Sequence, residues 1–286
     1  MNWLMFHVGS GLMFFTSIGL LFLGTVFCNG SKKLLVRAGV LLFIIGLIAM
    51  AIAATPVSIW LAAMTCLAFL VWVAAAISTN AKLKSITCGV FLLCLALIVK
   101  RELPYHFAPG IRTAADRTLA VIGDSVTAGT GTSDKAIKWP EQIAEKHNIR
   151  VDNRSQPGEK SSTALKHIQK DPPNSSVVLV EIGGNDLMGS TTAEKFEIDL
   201  DALLTFICQE ERQVIMLELP LPPFRNQMGA IQRRLARKHG VKLVPKRVFI
   251  SVLTTENSTI DSVHLTQKGH DLFAEAMWKV LKPAYE

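Results

Sequence analysis

The sequence predicts two architectures in one chain: an all-α transmembrane bundle, followed by a three-layer α/β/α domain with a mostly parallel, flavodoxin-like sheet. Long apolar runs fill residues 1–100, whereas short apolar runs alternate with amphipathic helical patterns in residues 117–286. Strands that alternate with helices form a mostly parallel sheet covered on both faces. Between the two parts, residues 101–116 are mixed in composition and contain two prolines and a glycine, which indicates a linker.

The charges divide at the same place. Residues 1–111 hold seven basic residues against one acidic residue, whereas residues 112–286 hold 23 basic against 22 acidic. The net positive charge therefore belongs to the membrane part. The second part is nearly neutral and has no stripe of basic residues with which to neutralise the phosphate groups of a nucleic acid. We therefore expect no nucleic-acid partner.

Cysteine and glycine patterns give no sign of a metal or a cofactor. Four of the five cysteines lie in the apolar runs and only Cys208 lies in the α/β part, so no disulfide framework is expected there. No cysteine pair has zinc-ligand spacing with histidines, and no G-x-G-x-x-G follows a predicted strand. We expect chemistry that needs neither a metal nor a cofactor.

Four apolar runs predict membrane-spanning helices, for which about 20 residues are needed. The runs are Trp3–Phe27, Leu34–Ala54, Val57–Ser78 and Ser85–Val99. The first run lacks a basic amino-terminal region and exceeds a signal-peptide core in length, so we expect it to be retained. The fourth run is the shortest. The aliphatic parts of the Lys82 and Lys84 side chains would extend it to the membrane–water interface.

Basic residues near these runs predict the topology. They concentrate in the loops after the first and third runs, as Lys32, Lys33, Arg37, Lys82 and Lys84. Because basic loops stay in the cytoplasm, four spans place the α/β domain outside the bacterial cytoplasmic membrane. The bundle is expected to act as an anchor in contact with membrane lipid, and the sequence identifies no protein partner.

Five strand-like runs and five helical patterns make up the α/β part. The strands are predicted at Leu119–Ile122, Ile149–Asp152, Val177–Ile182, Val214–Leu219 and Val241–Val244. The helices are predicted at Trp139–His147, Ser161–Gln169, Thr192–Glu210, Asn226–His239 and Thr266–Leu281. In such folds ligands bind beyond the carboxyl ends of the strands, so the loops there are the place to look for chemistry.

The loop after the first strand carries a serine at a chemically useful place. The run Gly123-Asp124-Ser125-Val126 places Ser125 just past a buried strand, at the start of a helix. Free backbone N–H groups at a helix start can stabilise a developing anion. Ser125 could instead only cap the helix, since serine is an ordinary cap residue.

Three further loops supply the remaining candidates. They contain Gly158 after the second strand, Gly183-Gly-Asn185-Asp186 after the third, and Asp261-Ser-Val-His264 before the last helix. Taken singly, each has a plain structural explanation as a turn glycine, a helix cap or a surface histidine. Four such segments in order along one sheet favour a common site.

These segments resemble the four sequence blocks of the SGNH hydrolases, also called GDSL lipases and esterases, over residues 117–282. The matching blocks are G-D-S-V at 123–126, P-G at 157–158, G-G-N-D at 183–186 and D-S-V-H-L-T-Q-K-G-H at 261–270. Val126 stands where the family name has leucine, another apolar residue. Residues 1–100 have no counterpart in the family domain.

The resemblance implies a role for each block. Ser125 would attack an ester carbonyl, His264 would take its proton and Asp261 would orient His264. The backbone N–H groups of Ser125 and Gly158 and the side-chain amide of Asn185 would form the oxyanion hole. These roles agree with general chemistry, because a serine hydroxyl needs an adjacent base and that base needs an acid to fix its tautomer.

The sequence thus predicts a membrane-anchored serine esterase that acts through an acyl-serine intermediate on an O-acetylated envelope glycan or a lipid. Two alternatives stay open at this point: an O-acyltransferase with the same triad, and a noncatalytic envelope-binding or scaffold module. The proline-rich segment 219–225 is either a wall of the acyl pocket or simply a stiff loop. The basic residues Arg233, Arg234, Arg237 and Lys238 are expected to form a solvated helix face.

Overall fold

A computed structural model describes residues 1–130, 135–209 and 211–286, which divide into two compact units. One unit comprises Met1–Phe6, Phe107–Pro220 and Gln227–Glu286; the other comprises His7–His106 and Leu221–Asn226. The first holds the α/β domain and the second holds the helical bundle. The chain passes between them at Phe107, inside the segment for which the sequence predicts a linker.

The first five helices are α1 (Trp3–Gly9), α2 (Leu12–Cys28), α3 (Lys33–Ile52), α4 (Ile59–Ile77) and α5 (Ala81–Glu102). Within the described residues, three of these helices, α3, α4 and α5, are long and apolar enough to cross a membrane. Helices α1 and α2 reach that length only if they are counted together as one broken segment, which gives a fourth.

The first apolar run is therefore not the continuous helix that the sequence predicts. Helices α1 and α2 meet at an angle of 82°. Gly11 lies at the break with a φ of 85°, a left-handed conformation that glycine adopts without steric cost. Beside the break, Nε2 of His7 lies 2.9 Å from Oγ1 of Thr16.

The fourth apolar run is longer than predicted. Helix α5 has 22 residues, because Lys82 and Lys84 at its start and Lys100 and Arg101 at its end are helical. The side chain of Asn80 caps it by accepting the N–H of Leu83 at 3.1 Å. The predicted span of Ser85–Val99 was too short because it ended at the first charge on each side.

Small and aromatic residues hold the bundle together. A Cβ at Gly24 of α2 would lie 2.9 Å from the carbonyl oxygen of Gly39 in α3, so the absence of side chains lets these backbones approach. Phe43 of α3 lies among aromatic rings of α4 and α5, where the rings of Trp72 and Phe91 stack with centroids 5.7 Å apart. Helices α3, α4 and α5 consequently share an aromatic core.

The α/β domain is built on a five-stranded parallel sheet in the order β2-β1-β3-β4-β5. Its strands are β1 (Thr118–Gly123), β2 (Arg150–Asn153), β3 (Val177–Glu181), β4 (Gln213–Leu217) and β5 (Lys242–Val244). Each predicted strand is confirmed with its ends within two residues. This strand order is that of a doubly wound, flavodoxin-like sheet.

The register of the sheet gathers the loops that follow three strands. Strand β1 lies between β2 and β3, with Val121 opposite Asn153 and Gly123 opposite Glu181. In a parallel sheet all carboxyl ends point the same way. The loops that carry Ser125, Gly158 and Asn185 therefore leave neighbouring strands at one edge.

Eight helices flank or border this sheet in the described residues. They are α6 (Ser125–Ala128), α7 (Trp139–His147), α8 (Ser161–Lys170), α9 (Gly184–Met188), α10 (Ala193–Ile207), α11 (Asn226–Lys238), α12 (Lys246–Leu253) and α13 (Gln267–Tyr285). The five predicted helices correspond to α7, α8, α10, α11 and α13; the predicted end at Glu210 lies outside the described residues. Helix α12 was missed, because its valine and isoleucine residues weaken a helical signal.

The core of this domain lies between the strands and the apolar faces of the helices. Strand residues such as Leu119, Val121 and Leu179 are fully buried. Phe273 of α13 is also fully buried, and its ring meets Trp139 edge to face with centroids 5.2 Å apart. Helix α13 thus packs on the sheet as its apolar spacing predicts.

The prediction of a solvated basic face on α11 is wrong for one of its four residues. Arg233 is only 3% exposed, and its Nε lies 2.6 Å from Oε1 of Glu218, which is also buried. A buried carboxylate requires a charged or hydrogen-bonding partner, and α11 supplies it from its inner side. Arg234 and Lys238 pair instead with Glu197 and Asp201 nearer the surface.

Candidate active site

Ser125 begins helix α6 directly after the turn that ends β1. The turn needs glycine, because a Cβ at Gly123 would lie 2.7 Å from Oγ1 of Thr127. Asp124 caps the helix, and its Oδ1 accepts the N–H of Val126 at 2.9 Å. The side chain of Ser125 therefore leaves the first position of a helix, where backbone N–H groups have no acceptor within the helix.

His264 lies between Ser125 and Asp261. Its Nε2 is 3.1 Å from Oγ of Ser125, 139 positions away in the sequence. Its Nδ1 is 2.6 Å from Oδ2 of Asp261. The structure thus brings together the three residues for which the family resemblance implies the roles of nucleophile, base and acid, at distances that would allow proton transfer.

Asp261 is held as a carboxylate by the turn that it begins. The backbone N–H of His264 donates to its Oδ1 at 2.9 Å, and that of Val263 donates at 3.1 Å. These bonds and the His264 side chain lower the pKa of Asp261 to about 2, against the weaker opposing effect of burial. A carboxylate that stays ionised favours the His264 tautomer whose proton is on Nδ1.

Gly158 and Asn185 lie on the two neighbouring loops. Gly158 has a φ of 77°, and a Cβ built on it would meet open space, so its conformation rather than crowding favours glycine. Asn185 donates from Nδ2 to Oδ2 of Asp124 at 3.1 Å and to the carbonyl oxygen of Glu159 at 3.0 Å. Both hydrogens of this amide therefore point at protein acceptors.

The aspartate of the G-G-N-D block has a structural task. Oδ2 of Asp186 accepts the backbone N–H of Ser161 at 2.9 Å and its hydroxyl at 3.0 Å. Both residues are buried. Asp186 therefore fastens the start of α8 to the loop that carries Asn185.

Glu181 is the residue that the sequence analysis missed. It ends β3, is 1% exposed, and accepts the Thr127 hydroxyl at 2.9 Å and the Asp124 N–H at 3.3 Å, both on Oε2. Burial and the neighbouring Asp124 charge raise the pKa of Glu181 well above its ordinary range. Burial likewise raises the pKa of Asp124 to about 6. An acid inside the apolar run Val177–Ile182 was the available signal.

Three other histidines of the α/β domain contact other residues or are buried. The ring of His147 stacks on Trp278 with centroids 3.6 Å apart. Nε2 of His239 lies 2.6 Å from Asp201, and His270 is fully buried in α13. His264 is the histidine that meets Ser125 in the described part of the chain.

A serine hydroxyl, an imidazole and a carboxylate in hydrogen-bond contact at one edge of a parallel sheet can together carry out acyl transfer. A family model described as the GDSL-like Lipase/Acylhydrolase family matches residues 121–272. The chain belongs to this family, and it is an enzyme of the SGNH class that hydrolyses ester bonds.

Two characterised relatives match over most of their length. The chain is 28% identical over 200 residues to the thioesterase 1/protease 1/lysophospholipase L1 of Escherichia coli K12, covering 65% of this chain and 94% of the relative. It is 24% identical over 206 residues to the esterase TesA of Pseudomonas aeruginosa, covering 66% and 95%.

Solved structures share the fold. A crystal structure of TesA superposes with a TM-score of 0.51 at 24% identity, covering 58% of this chain and 98% of that one. The psychrotrophic esterase EstA of Pseudoalteromonas, inhibited by monoethylphosphonate, gives a TM-score of 0.52 at 20% identity, covering 58% and 97%.

Proposed function

We propose that the chain is a membrane-anchored serine esterase in which Ser125, His264 and Asp261 form the catalytic triad. The observation that carries the proposal is the pair of contacts of one imidazole, 3.1 Å to Oγ of Ser125 and 2.6 Å to Oδ2 of Asp261. The same spacing on unrelated folds performs acyl transfer, because geometry rather than sequence position defines a triad.

The reaction follows from these contacts. Oγ of Ser125 attacks the carbonyl carbon while its proton passes to Nε2 of His264, and Asp261 stabilises the imidazolium that forms. Collapse of the tetrahedral intermediate expels the alcohol, which takes the proton from His264 and leaves an acyl-serine. Water then repeats the sequence, releasing the acid and restoring the Ser125 hydroxyl.

Three donors would stabilise the oxyanion: the N–H groups of Ser125 and Gly158 and the amide of Asn185. Because Asn185 already donates to Asp124 and Glu159, it would share one hydrogen between its present acceptor and the oxyanion. Hydrogen bonds of this kind often become well aligned only when the reacting group is present. A preorganised amide has the advantage that it need not reorient during the reaction.

The proposed substrate is an ester-bearing envelope component, either a lipid or an O-acetylated glycan. The E. coli relative is described as a thioesterase and a lysophospholipase, which supports an acyl ester of lipid type. Three apolar helices of membrane-spanning length support a site of action at a membrane surface.

We propose an extracytoplasmic position for the domain, on grounds that do not depend on the first apolar run. Lys32 precedes α3, Lys33 begins it, and Lys82 and Lys84 lie in the first turn of α5. With these residues held in the cytoplasm, α3 crosses the membrane outwards, α4 returns inwards and α5 crosses outwards again. The domain that follows α5 then lies outside. The bend at Gly11 changes only the side on which the amino terminus lies.

The experiment offers p-nitrophenyl acetate, octanoate and palmitate to the full chain in detergent, with and without an excess of N-acetylglucosamine oligomers as acceptor. Ester cleavage without acceptor supports the esterase. Product that forms only with acceptor replaces this proposal with an O-acyltransferase, and turnover equal to that of Ser125→Ala rejects both. Release of acetate from O-acetylated glycan or of fatty acid from lysophospholipid then identifies the substrate class.

A further inference from the structure

Two buried carboxyl groups lie side by side beneath the turn that carries Ser125. Glu181 is 1% exposed and Asp124 is 3% exposed, and Oε2 of Glu181 accepts the backbone N–H of Asp124 at 3.3 Å. Each carboxyl group raises or lowers the pKa of the other. The contact arises from the sheet register, because Glu181 of β3 lies opposite Gly123 of β1. Two adjacent carboxyl groups away from water cannot both ionise at neutral pH, so the pair retains a proton.

The surrounding hydrogen bonds place this proton on Glu181. Both oxygens of the Asp124 side chain already accept from neutral donors: Oδ1 from the N–H of Val126 and Oδ2 from the amide of Asn185. Oε2 of Glu181 is occupied as an acceptor by Thr127 and by the Asp124 N–H. The other oxygen of Glu181 is left to carry the proton towards Asp124.

The loop after β3 is shaped to receive this carboxylate. A Cβ at Gly184 would lie 3.1 Å from Oδ2 of Asp124, closer than ordinary packing allows. A glycine there lets the Asp124 oxygen reach the Asn185 amide. The remaining charged groups whose fields reach Asp124 are His264 and Asp186.

We propose that Glu181, as a neutral acid, donates a hydrogen bond to the Asp124 carboxylate and thereby acts with it as a pair of positioning residues for ester hydrolysis. Oδ2 of Asp124 aims the amide of Asn185 at the oxyanion, and Oδ1 holds the start of α6 behind Ser125. This inference rests on the proposed function. It assigns no contact with substrate to either acid.

Isosteric amides distinguish this arrangement from simple packing. Glu181→Gln imitates the neutral acid, because its oxygen can accept from Thr127 and its amide can donate to Asp124. Asp124→Asn keeps the cap to Val126 through its oxygen but turns a donor towards the donor of Asn185. The first change is therefore tolerated and the second is not, although the two are equal in size.

The test measures kcat and KM for p-nitrophenyl acetate and octanoate with the full chain in detergent. Glu181→Gln should retain most of kcat. Asp124→Asn and Glu181→Leu should lower kcat by up to about 10²-fold with little change in KM, since a small misplacement of a catalytic donor can cost that much. Thermal unfolding monitored by tryptophan fluorescence checks that each variant is folded.

A double-mutant cycle identifies the route of the effect. If Asp124 acts through Asn185, Asp124→Asn should cost much less in an Asn185→Ala background than in the wild type. Fully multiplicative losses, or equal losses for Glu181→Gln and Asp124→Asn, would overturn the inference while leaving the triad proposal intact. Ser125→Ala separately tests the triad: unchanged turnover in that variant would overturn the proposed function and, with it, this inference. If Glu181→Leu does not fold, the comparison of kcat between Glu181→Gln and Asp124→Asn tests the inference by itself.

Discussion

Asp261 contacts His264 twice, through the backbone and through the ring. Its Oδ1 accepts the His264 N–H at 2.9 Å, and its Oδ2 lies 2.6 Å from Nδ1. A single carboxylate therefore holds the turn that carries His264 and also orients the imidazole so that its Nε2 meets Ser125.

Replacement of Asp261 by asparagine should lower kcat strongly, by as much as about 10⁴-fold, because an amide can hold the imidazole in the wrong tautomer. Asp171→Asn, at an exposed position, is the matched control and should leave the rate unchanged. Steady-state kinetics on an activated ester measure both. A control-like rate in Asp261→Asn would mean that the carboxylate charge does not matter.

The pH dependence should not reflect titration of Asp261. Its pKa is lowered to about 2, below the value of 3.8 in an unfolded chain, so its stabilising contribution is present above pH 3.8 and is lost as the pH falls through 2. A loss of rate between pH 7 and about pH 5 is instead expected from titration of Asp124, whose pKa is about 6. If the rate of Asp261→Asn falls between pH 7 and about pH 5 as that of the wild type does, the result agrees with this assignment. If the rate of Asp261→Asn no longer falls in this range, the result contradicts it.

Ser125→Ala should abolish ester hydrolysis and leave the fold unchanged, since the change removes one oxygen from a residue that contributes little to packing. A serine-directed phosphonate should label the wild type at Ser125, which peptide mass spectrometry can locate. Ser162→Ala, in helix α8, is the matched control and should be labelled and active as the wild type is. Labelling at another serine would assign the nucleophile elsewhere.

Asn185→Ala should lower kcat by about 10²–10³-fold with a smaller change in KM, because the amide acts on charge that develops in the transition state. Asn174→Ala, in the exposed loop before β3, is the control. Separate determination of kcat and KM measures the effect. A change confined to KM would make Asn185 a substrate-binding residue instead of an oxyanion donor.

The buried acid pair should make stability depend on pH in a defined direction. The pKa of Asp124 is raised from 3.8 to about 6, so the folded chain keeps a proton that the unfolded chain releases, and this contribution to stability decreases as the pH rises between these values. Glu181, with its pKa raised well above 4.5, extends the decrease to higher pH. The melting temperature of the wild type minus that of Glu181→Gln should therefore decrease from pH 4 to pH 8. The same difference measured for Glu256→Gln, a change at an exposed position, should not depend on pH in this way.

Reporter fusions should place the carboxyl terminus outside the cytoplasm. A reporter active only outside should be active after Glu286 and near Pro56, and silent after Ser31. Charge reversal at Lys82 and Lys84 should weaken this preference, because basic loops determine orientation. Activity after Ser31 with silence after Glu286 would move the domain to cytoplasmic substrates.

The sequence predicted those features that local patterns encode. The strand at Val177 and the last helix, α13, were visible as apolar periodicity, although α13 continues past the predicted end at Leu281 to Tyr285. The loops with Ser125 and Asn185 followed from the position of polar residues after apolar runs. Helix α12 and the inward side of Arg233 were not visible, because short β-branched segments and long basic side chains take their conformation from what packs against them.

The sequence by itself predicted that Ser125, Gly158 and Asn185 lie near one sheet edge, since parallel strands that alternate with helices carry their loops to the same side. The tertiary structure alone decided the contacts within that edge. The pairing of β1 with β3 sets Glu181 opposite Gly123, and this register brings its carboxyl group to Asp124 and, through it, to Asn185. Local patterns record which residues are apolar, whereas register and burial depend on strands that are distant in the sequence.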